Sequence, residues 1–263
     1  MRLPAGALAL TLVLTGMLTS ACTLGGPTAI RSGVQTTQDA VLPNPDAQRA
    51  LLTLGHLSDK FEVDDEEDDG EDDGADWGCL TPDDVAGEGA DDVEISFSAK
   101  QEPGLPGVFN AVTTQARDAE TAERAFDALA ASFRKCTSVH TKGDDGTAWD
   151  FDVRTDTDGW AEGGDQQINI VAIGTVGMSG VKLPLDIRMS LVRIGEIATM
   201  VGFFDLSDTP RATRTAHQRL LRAATARLHA VLAGEKLPRT RPLLEDYEFS
   251  NVLEELLSPT QEV

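Results

Sequence analysis

Aromatic residues are scarce in this chain, 5% of 263 residues with a single Tyr. Stacking platforms for bases or sugar rings need more of them. Basic residues are short as well: 22 Lys and Arg face 44 Asp and Glu, a formal net charge of −22. A charge of that sign repels phosphate backbones and argues against a nucleic-acid partner. Three cysteines and four scattered histidines leave little for a metal cluster, and no two histidines stand three or four apart. No metal site or cofactor is expected.

Familiar catalytic signatures are missing too. Gly177-Met178-Ser179-Gly180 is not the elbow that exposes a nucleophilic serine and reads instead as a Gly-rich loop. Gly174, Gly177 and Gly180 do not match a dinucleotide fingerprint. No catalytic residue is assigned, and the chain is not read as an enzyme. Hydrophobic residues make up 41%, slightly low for a globular domain, so a core forms while part of the chain stays outside it.

The N-terminus is an export signal over residues 1–21. Arg2 supplies the positive start, and Leu8 to Leu14 supply a short apolar run. That run is too short to span a bilayer core of ~30 Å. Leu18-Thr19-Ser20-Ala21-Cys22 then places small residues before a cysteine, and the stretch resembles the lipobox of bacterial lipoproteins. The resemblance implies that Cys22 is lipidated, with palmitate-type chains, and becomes the first mature residue. Thr19 stands where an aliphatic residue is usual. Each buried CH₂ contributes about 0.8 kcal/mol, so a multiply acylated Cys22 anchors firmly. The expected location is the cell membrane, with the domain on its extracytoplasmic side. Residues 22–38 show little periodicity and read as a tether.

Two cysteines remain, Cys79 and Cys136. Export places them in an oxidising compartment, where two thiols most simply form one disulfide. Closing such a loop stabilises by about 4 kcal/mol in the chain-entropy model. Two free buried thiols are the alternative. No histidine, His140 included, can be placed beside a cysteine as its base.

Acidity is local. Residues 59–94 hold 18 acidic residues and one Lys, a net of −17, which leaves −5 for the rest of the chain. Its heart, within an insertion at about 62–76, has no apolar side to bury and reads as a solvated tract. In one register Asp65, Glu67, Asp69, Gly70, Glu71, Asp73 and Asp76 imitate a calcium loop. Asp72 sits where an apolar residue belongs, Asp76 is short for a bidentate ligand, and the flanks are not amphipathic helices. A specific calcium site is therefore not assigned.

The folded part is expected over residues 39–234. Asp39 to His56 is helical in part, broken early by Asn44-Pro45-Asp46, with Ala47, Ala50, Leu51 and Leu54 as a stripe. Val93 to Phe97 alternates as a strand, Pro103 to Gly107 turns, and Val108 to Ala116 forms a second strand. Ala122, Phe126, Leu129, Phe133 and Cys136 mark a helix over Ala119 to Cys136. Trp149 to Val153 is a short strand and Gln166 to Ile173 a further one. Leu185 to Ile194 and Glu196 to Phe204 form a hairpin. In it Ile187, Met189 and Leu191 face the core while Arg188 and Ser190 face water. A last helix runs from Thr209-Pro210 to about Ala233. Ala212, Ala216, Leu220, Ala224 and Leu228 make its apolar stripe; Arg211, Arg214, Arg219, Arg222 and Arg227 lie elsewhere. Those arginines form a solvated face, or a surface for the acidic loop, anionic lipid or a partner. Residues 235–263 read as a tail, with Leu243, Leu244, Leu253, Leu256 and Leu257 hinting at a short docking helix. The order argues for an α+β domain: an antiparallel β-sheet with helices packed on it.

This layout supports a wider resemblance. It rests on Ala50-Leu51-Leu52-Thr53-Leu54-Gly55-His56-Leu57, Trp77-Gly78-Cys79 and the helix ending in Cys136. Gly164-Asp165 before one strand and Met189 to Gly195 before another complete it. Over roughly residues 45–233 the chain resembles actinobacterial sensor-domain lipoproteins, similar to the extracellular sensor domain of PknH-type kinases. The resemblance implies a helix-flanked antiparallel sheet with a cleft, outside the cell, for an unidentified ligand. Those kinase sensors have two disulfides, and only one bridge carries over here. It transfers no catalytic or binding residue.

The expected function is a membrane-anchored, non-catalytic ligand-binding or sensor-like module with an unknown small-molecule or protein partner. The alternative is a surface interaction protein that contacts a protein partner through its acidic loop and tail.

Overall fold

A computed structural model describes residues 44–64, 78–80, 91–100, 105–114, 118–142, 146–178, 181–206 and 210–249. The signal segment, Cys22, the tether, the calcium-like register and the last 14 residues lie outside them.

Eight strands form one antiparallel sheet. In chain order they are β1 (Phe61–Val63), β2 (Asp91–Ala99), β3 (Gly107–Thr114), β4 (Ser138–Lys142), β5 (Ala148–Asp156), β6 (Gln166–Met178), β7 (Val181–Ile194) and β8 (Ile197–Asp205). Across the sheet the order is β1-β2-β3-β8-β7-β6-β5-β4. Among the described residues three α-helices complete the α+β fold: α1 (Asn44–Ala50), α2 (Ala119–Lys135) and α3 (Pro210–Leu232).

The period-two alternation of strands divides the core between two faces. On one face Phe109, Phe151, Val153, Ile168, Ile170, Leu185, Ile187 and Met189 meet α2 through Phe126, Ala130 and Phe133. Asp118 caps α2 by accepting a hydrogen bond from the Thr121 N–H at 2.6 Å, a contact that contributes about 1 kcal/mol. Cys79 and Cys136 form a disulfide with Cα atoms 5.3 Å apart, joining a short 3₁₀ turn at Gly78–Leu80 to the end of α2. On the other face Val108, Val192, Val201 and Phe203 pack under Ala216, Leu220, Leu221 and Ala224 of α3.

The chain after α1 is held by a buried polar residue. Asn110 on β3 accepts from the Leu52 N–H at 2.8 Å and donates to the Met200 carbonyl at 2.9 Å. Arg227 of α3 reaches the end of α1, where its Nε donates to the Leu51 carbonyl at 2.7 Å and its Nη2 to the Arg49 carbonyl at 2.6 Å.

Several expectations change. Asn44-Pro45-Asp46 starts the first helix rather than breaking it, because Pro near a helix N-terminus removes an N–H that has no intrahelical acceptor. Arg227 is buried, not on a wet face, because its guanidinium satisfies α1 carbonyls. Arg188 and Ser190 are also buried, since α3 covers the face of β7 assigned to water. Ala212, placed on the α3 stripe, is exposed. Gly177 and Met178 close β6 rather than opening a loop. Strands β1 and β4 were not anticipated.

Within residues 235–249, Leu243, Leu244, Tyr247 and Phe249 pack into the core between the sheet and α3, while most of 235–242 is exposed. The Leu243 N–H donates to the His56 carbonyl at 2.9 Å, and Leu244 is fully buried. Leu243 and Leu244 sit in a bend, not a helix. Tyr247 meets Phe203 edge-on, with ring centroids 5.3 Å apart, and its hydroxyl donates to the Asp205 carboxylate.

Candidate functional site

Helix α3 lies over β7 and β8. On that face, β5 and β6 extend beyond it. A cleft of about 500 Å³ opens where the first turn of α3 overhangs these strands. It is lined by Arg154 and Asp156 on β5, Val171 and Ile173 on β6, Arg188 on β7, and Pro210, Arg211 and Arg214 on α3.

The strand register explains the floor. Arg154 pairs with Val171, Val171 with Arg188, and Arg188 with Phe203. Paired residues point to the same side of a sheet. Arg154 and Arg188 therefore stand two strands apart, about 10 Å, on either side of Val171. Ile173 lies two residues along β6 on the same face and is 40% exposed. The floor is apolar in its centre and basic at both sides.

Arg188 is fixed by a neighbour on its own strand and by the start of α3. Its Nη2 donates to Asp186 Oδ2 at 2.8 Å and to the Pro210 carbonyl at 3.0 Å, and its Nε reaches the same carboxylate at 3.3 Å. Arg188 and Asp186 are both buried. Burial raises the Asp186 pKa, while Arg188 and the Thr213 hydroxyl pull it back down. The Pro210 contact ties the start of α3 to β7, which sets the height of the cleft wall.

Asp156 is also held in place. Asn169 Nδ2 donates to Asp156 Oδ1 at 2.6 Å and to the Asp158 carbonyl at 2.9 Å. Asn169 Oδ1 accepts from Gln167 Nε2 and Ser190 Oγ, each at 2.6 Å. All four hydrogen-bonding positions of this buried amide are therefore used. Gln167 Oε1 accepts the Trp160 and Ala161 N–H groups, both at 3.1 Å, and so positions the loop that carries Trp160. Arg214 lies over the Trp160 ring at 5.1 Å, within cation–π range. Among the described residues, Arg154, Arg211 and Arg214 make no ion pair.

Behind the wall, His217 is fully buried. Its Nε2 lies 3.1 Å from the Val201 carbonyl, so that nitrogen carries the proton. Burial pushes its pKa down to about 4, with Arg188 adding to the effect and the Val201 carbonyl opposing it.

The structure joins Cys79 to Cys136 and brings neither to the cleft. His140 pairs with Asp150 at 2.8 Å. Of the α3 arginines, Arg211 and Arg214 line the cleft. Arg219 instead pairs with Asp246 at 2.5 Å, and Arg222 donates to the Trp160 carbonyl at 3.2 Å. The sequence gives Arg154 no role and puts Arg188 on a wet face, because polar residues alternating within strands resemble ordinary solvated positions. Among the described residues no group of three or more His, Cys, Asp or Glu could hold a metal ion. Among them too, no helix is long and apolar enough to cross a membrane.

No family model matches the chain, and no curated protein matches it. Among solved structures it is similar to the extracellular domain of PknH from Mycobacterium tuberculosis. Identity is 14% and the TM-score 0.40, over 66% of this chain and 78% of that one.

Proposed function

We propose that this chain is a non-catalytic ligand-binding or sensor-like module on the extracytoplasmic side of the cell membrane, anchored by lipid on Cys22. One observation carries the binding reading: a preformed cleft of about 500 Å³, within the size range of small-molecule sites, with convergent polar groups around an apolar floor. The lining supports holding rather than reacting. Guanidinium groups donate hydrogen bonds and cannot accept them, and Asp156 is already engaged by Asn169. The disulfide supports export, because such bridges persist in oxidising compartments. The lipobox-like Leu18 to Cys22 supports the anchor.

Native mass spectrometry of the full-length protein, purified without added ligand, tests the binding reading. A retained small molecule that is lost from Ile173→Trp, which fills the cleft from an exposed position, is the expected result. Equal retention by that variant would place binding elsewhere. A bare mass, with a crosslinked protein partner lost on deleting residues 62–76, would favour the partner-contact reading. Cell fractionation tests the anchor: Cys22→Ser should leave the membrane fraction, and its staying there would end the lipoprotein reading.

A further inference from the structure

The chain carries −22 overall, yet its cleft is locally positive. Four arginines line it, from β5, β7 and α3. Arg188 is neutralised by Asp186 beside it on β7. Among the described lining residues, Arg154, Arg211 and Arg214 remain, against the single carboxylate of Asp156. Three minus one leaves +2 facing the cavity. The positive end of the α3 dipole adds to this at the same wall. Between the arginines, Val171 and Ile173 offer apolar surface.

From this arrangement we infer that the cleft binds a phosphomonoester with an apolar body. The inference rests on the binding reading above and specifies its ligand class. A phosphomonoester carries about −1.5 to −2 charges at pH 7, which matches the local excess. Its three terminal oxygens accept forked guanidinium hydrogen bonds, which suit Arg better than Lys. The apolar body lies along Val171 and Ile173. A cavity of about 500 Å³ holds both parts. Arg188 takes a fixed position in this site, because the Asp186 and Pro210 contacts have already ordered its side chain. The ligand could be a soluble organic phosphate or the monomeric form of a lipid with a phosphomonoester head; the recognising chemistry is shared.

Isothermal titration calorimetry of the full-length protein in detergent tests this with 1-naphthyl phosphate, 1-naphthol and inorganic phosphate. The naphthyl phosphate is expected to bind saturably at one site, at least tenfold tighter than either fragment. Arg154→Gln with Arg211→Gln should weaken it at least tenfold. Both positions are exposed and outside any ion pair among the described residues, so the fold is spared. Arg124→Gln with Arg134→Gln makes the same charge change on α2, at the opposite face, and should leave binding unaltered. Equal weakening by both pairs, or no saturable binding by the wild type, overturns the inference. Competition by lysophosphatidate but not glycerol 3-phosphate identifies a lipid source, and the reverse a soluble one; competition by neither overturns it. A neutral molecule retained by the wild type and lost from Ile173→Trp would leave the binding reading standing and overturn the phosphate assignment alone.

Discussion

The Tyr247 hydroxyl donates to the Asp205 carboxylate and so fastens the segment after α3 to the last strand. Asp205 sits at the end of β8, paired in register with Asp186 of β7. Asp186 in turn holds Arg188 at the cleft. The clasp and the cleft therefore share one row of buried charge.

Tyr247→Phe keeps the ring against Phe203 and removes only the hydroxyl. The buried Asp205 carboxylate then keeps the Leu206 N–H but loses the Tyr247 hydroxyl, which costs about 1–3 kcal/mol. Urea denaturation should show a lower midpoint with an unchanged slope. A midpoint within error of wild type would mean that the clasp adds nothing to stability.

Asp205 and His217 make opposing contributions to stability against pH. Burial raises Asp205 from 3.8 to about 6, helped by Asp186 and opposed by the Tyr247 hydrogen bond. The folded state then holds this proton to higher pH than the unfolded chain. Its contribution is greatest below 3.8 and declines as pH rises to about 6. His217 behaves in the other sense: its contribution is complete above 6.5 and is lost as pH falls to about 4. Between pH 4 and 6 the two slopes largely cancel. Asp205→Asn removes only the first. Acidified from pH 6.5 to 4, the variant should lose about 2–3 kcal/mol relative to wild type, from ~1.4 kcal/mol per pKa unit. Parallel stability curves for the two proteins would contradict this.

Gly174 marks a close crossing of backbones. A Cβ there would collide with the Asp150 carbonyl oxygen and stand 2.7 Å from the Phe151 Cα. Since both obstacles are backbone, Gly174→Ala must shift β5 against β6, at a cost of about 1–3 kcal/mol or more. Thermal melting should show a clear loss. By contrast, Gly159→Ala meets nothing within 4 Å and should melt near wild type.

Reduction of the Cys79–Cys136 bridge frees a long loop in the unfolded chain. The loss expected is about 4 kcal/mol in the chain-entropy model. Denaturation with and without reductant measures it, and the intact mass should rise by two hydrogens on reduction. An unchanged mass would rule out the bridge.

Legibility in the sequence followed how much of each element was buried. Helix α2 was readable because Ala122, Phe126 and Phe133 fall on one side and only that side is buried. The β7–β8 hairpin was readable because Gly195, at φ 61°, takes the backbone turn that other residues resist. Strand β4 was hidden because only Val139 of its five residues is buried, which leaves no alternating signal. Arg188 was misplaced for the opposite reason: its polar type suggested water, while Asp186 and Pro210 satisfy it beneath α3. The cleft could not be seen from sequence at all. Arg154 and Arg211 meet only because β5 lies two strands from β7, where α3 begins to cover the sheet.

The most direct measurement is a titration of 1-naphthyl phosphate into isotopically labelled full-length protein, followed by backbone amide resonances. The predicted result is saturable shifts confined to the amides of Arg154, Val171, Ile173, Arg211 and their neighbours. Shifts centred on α2, or none anywhere, would contradict a ligand site at this cleft.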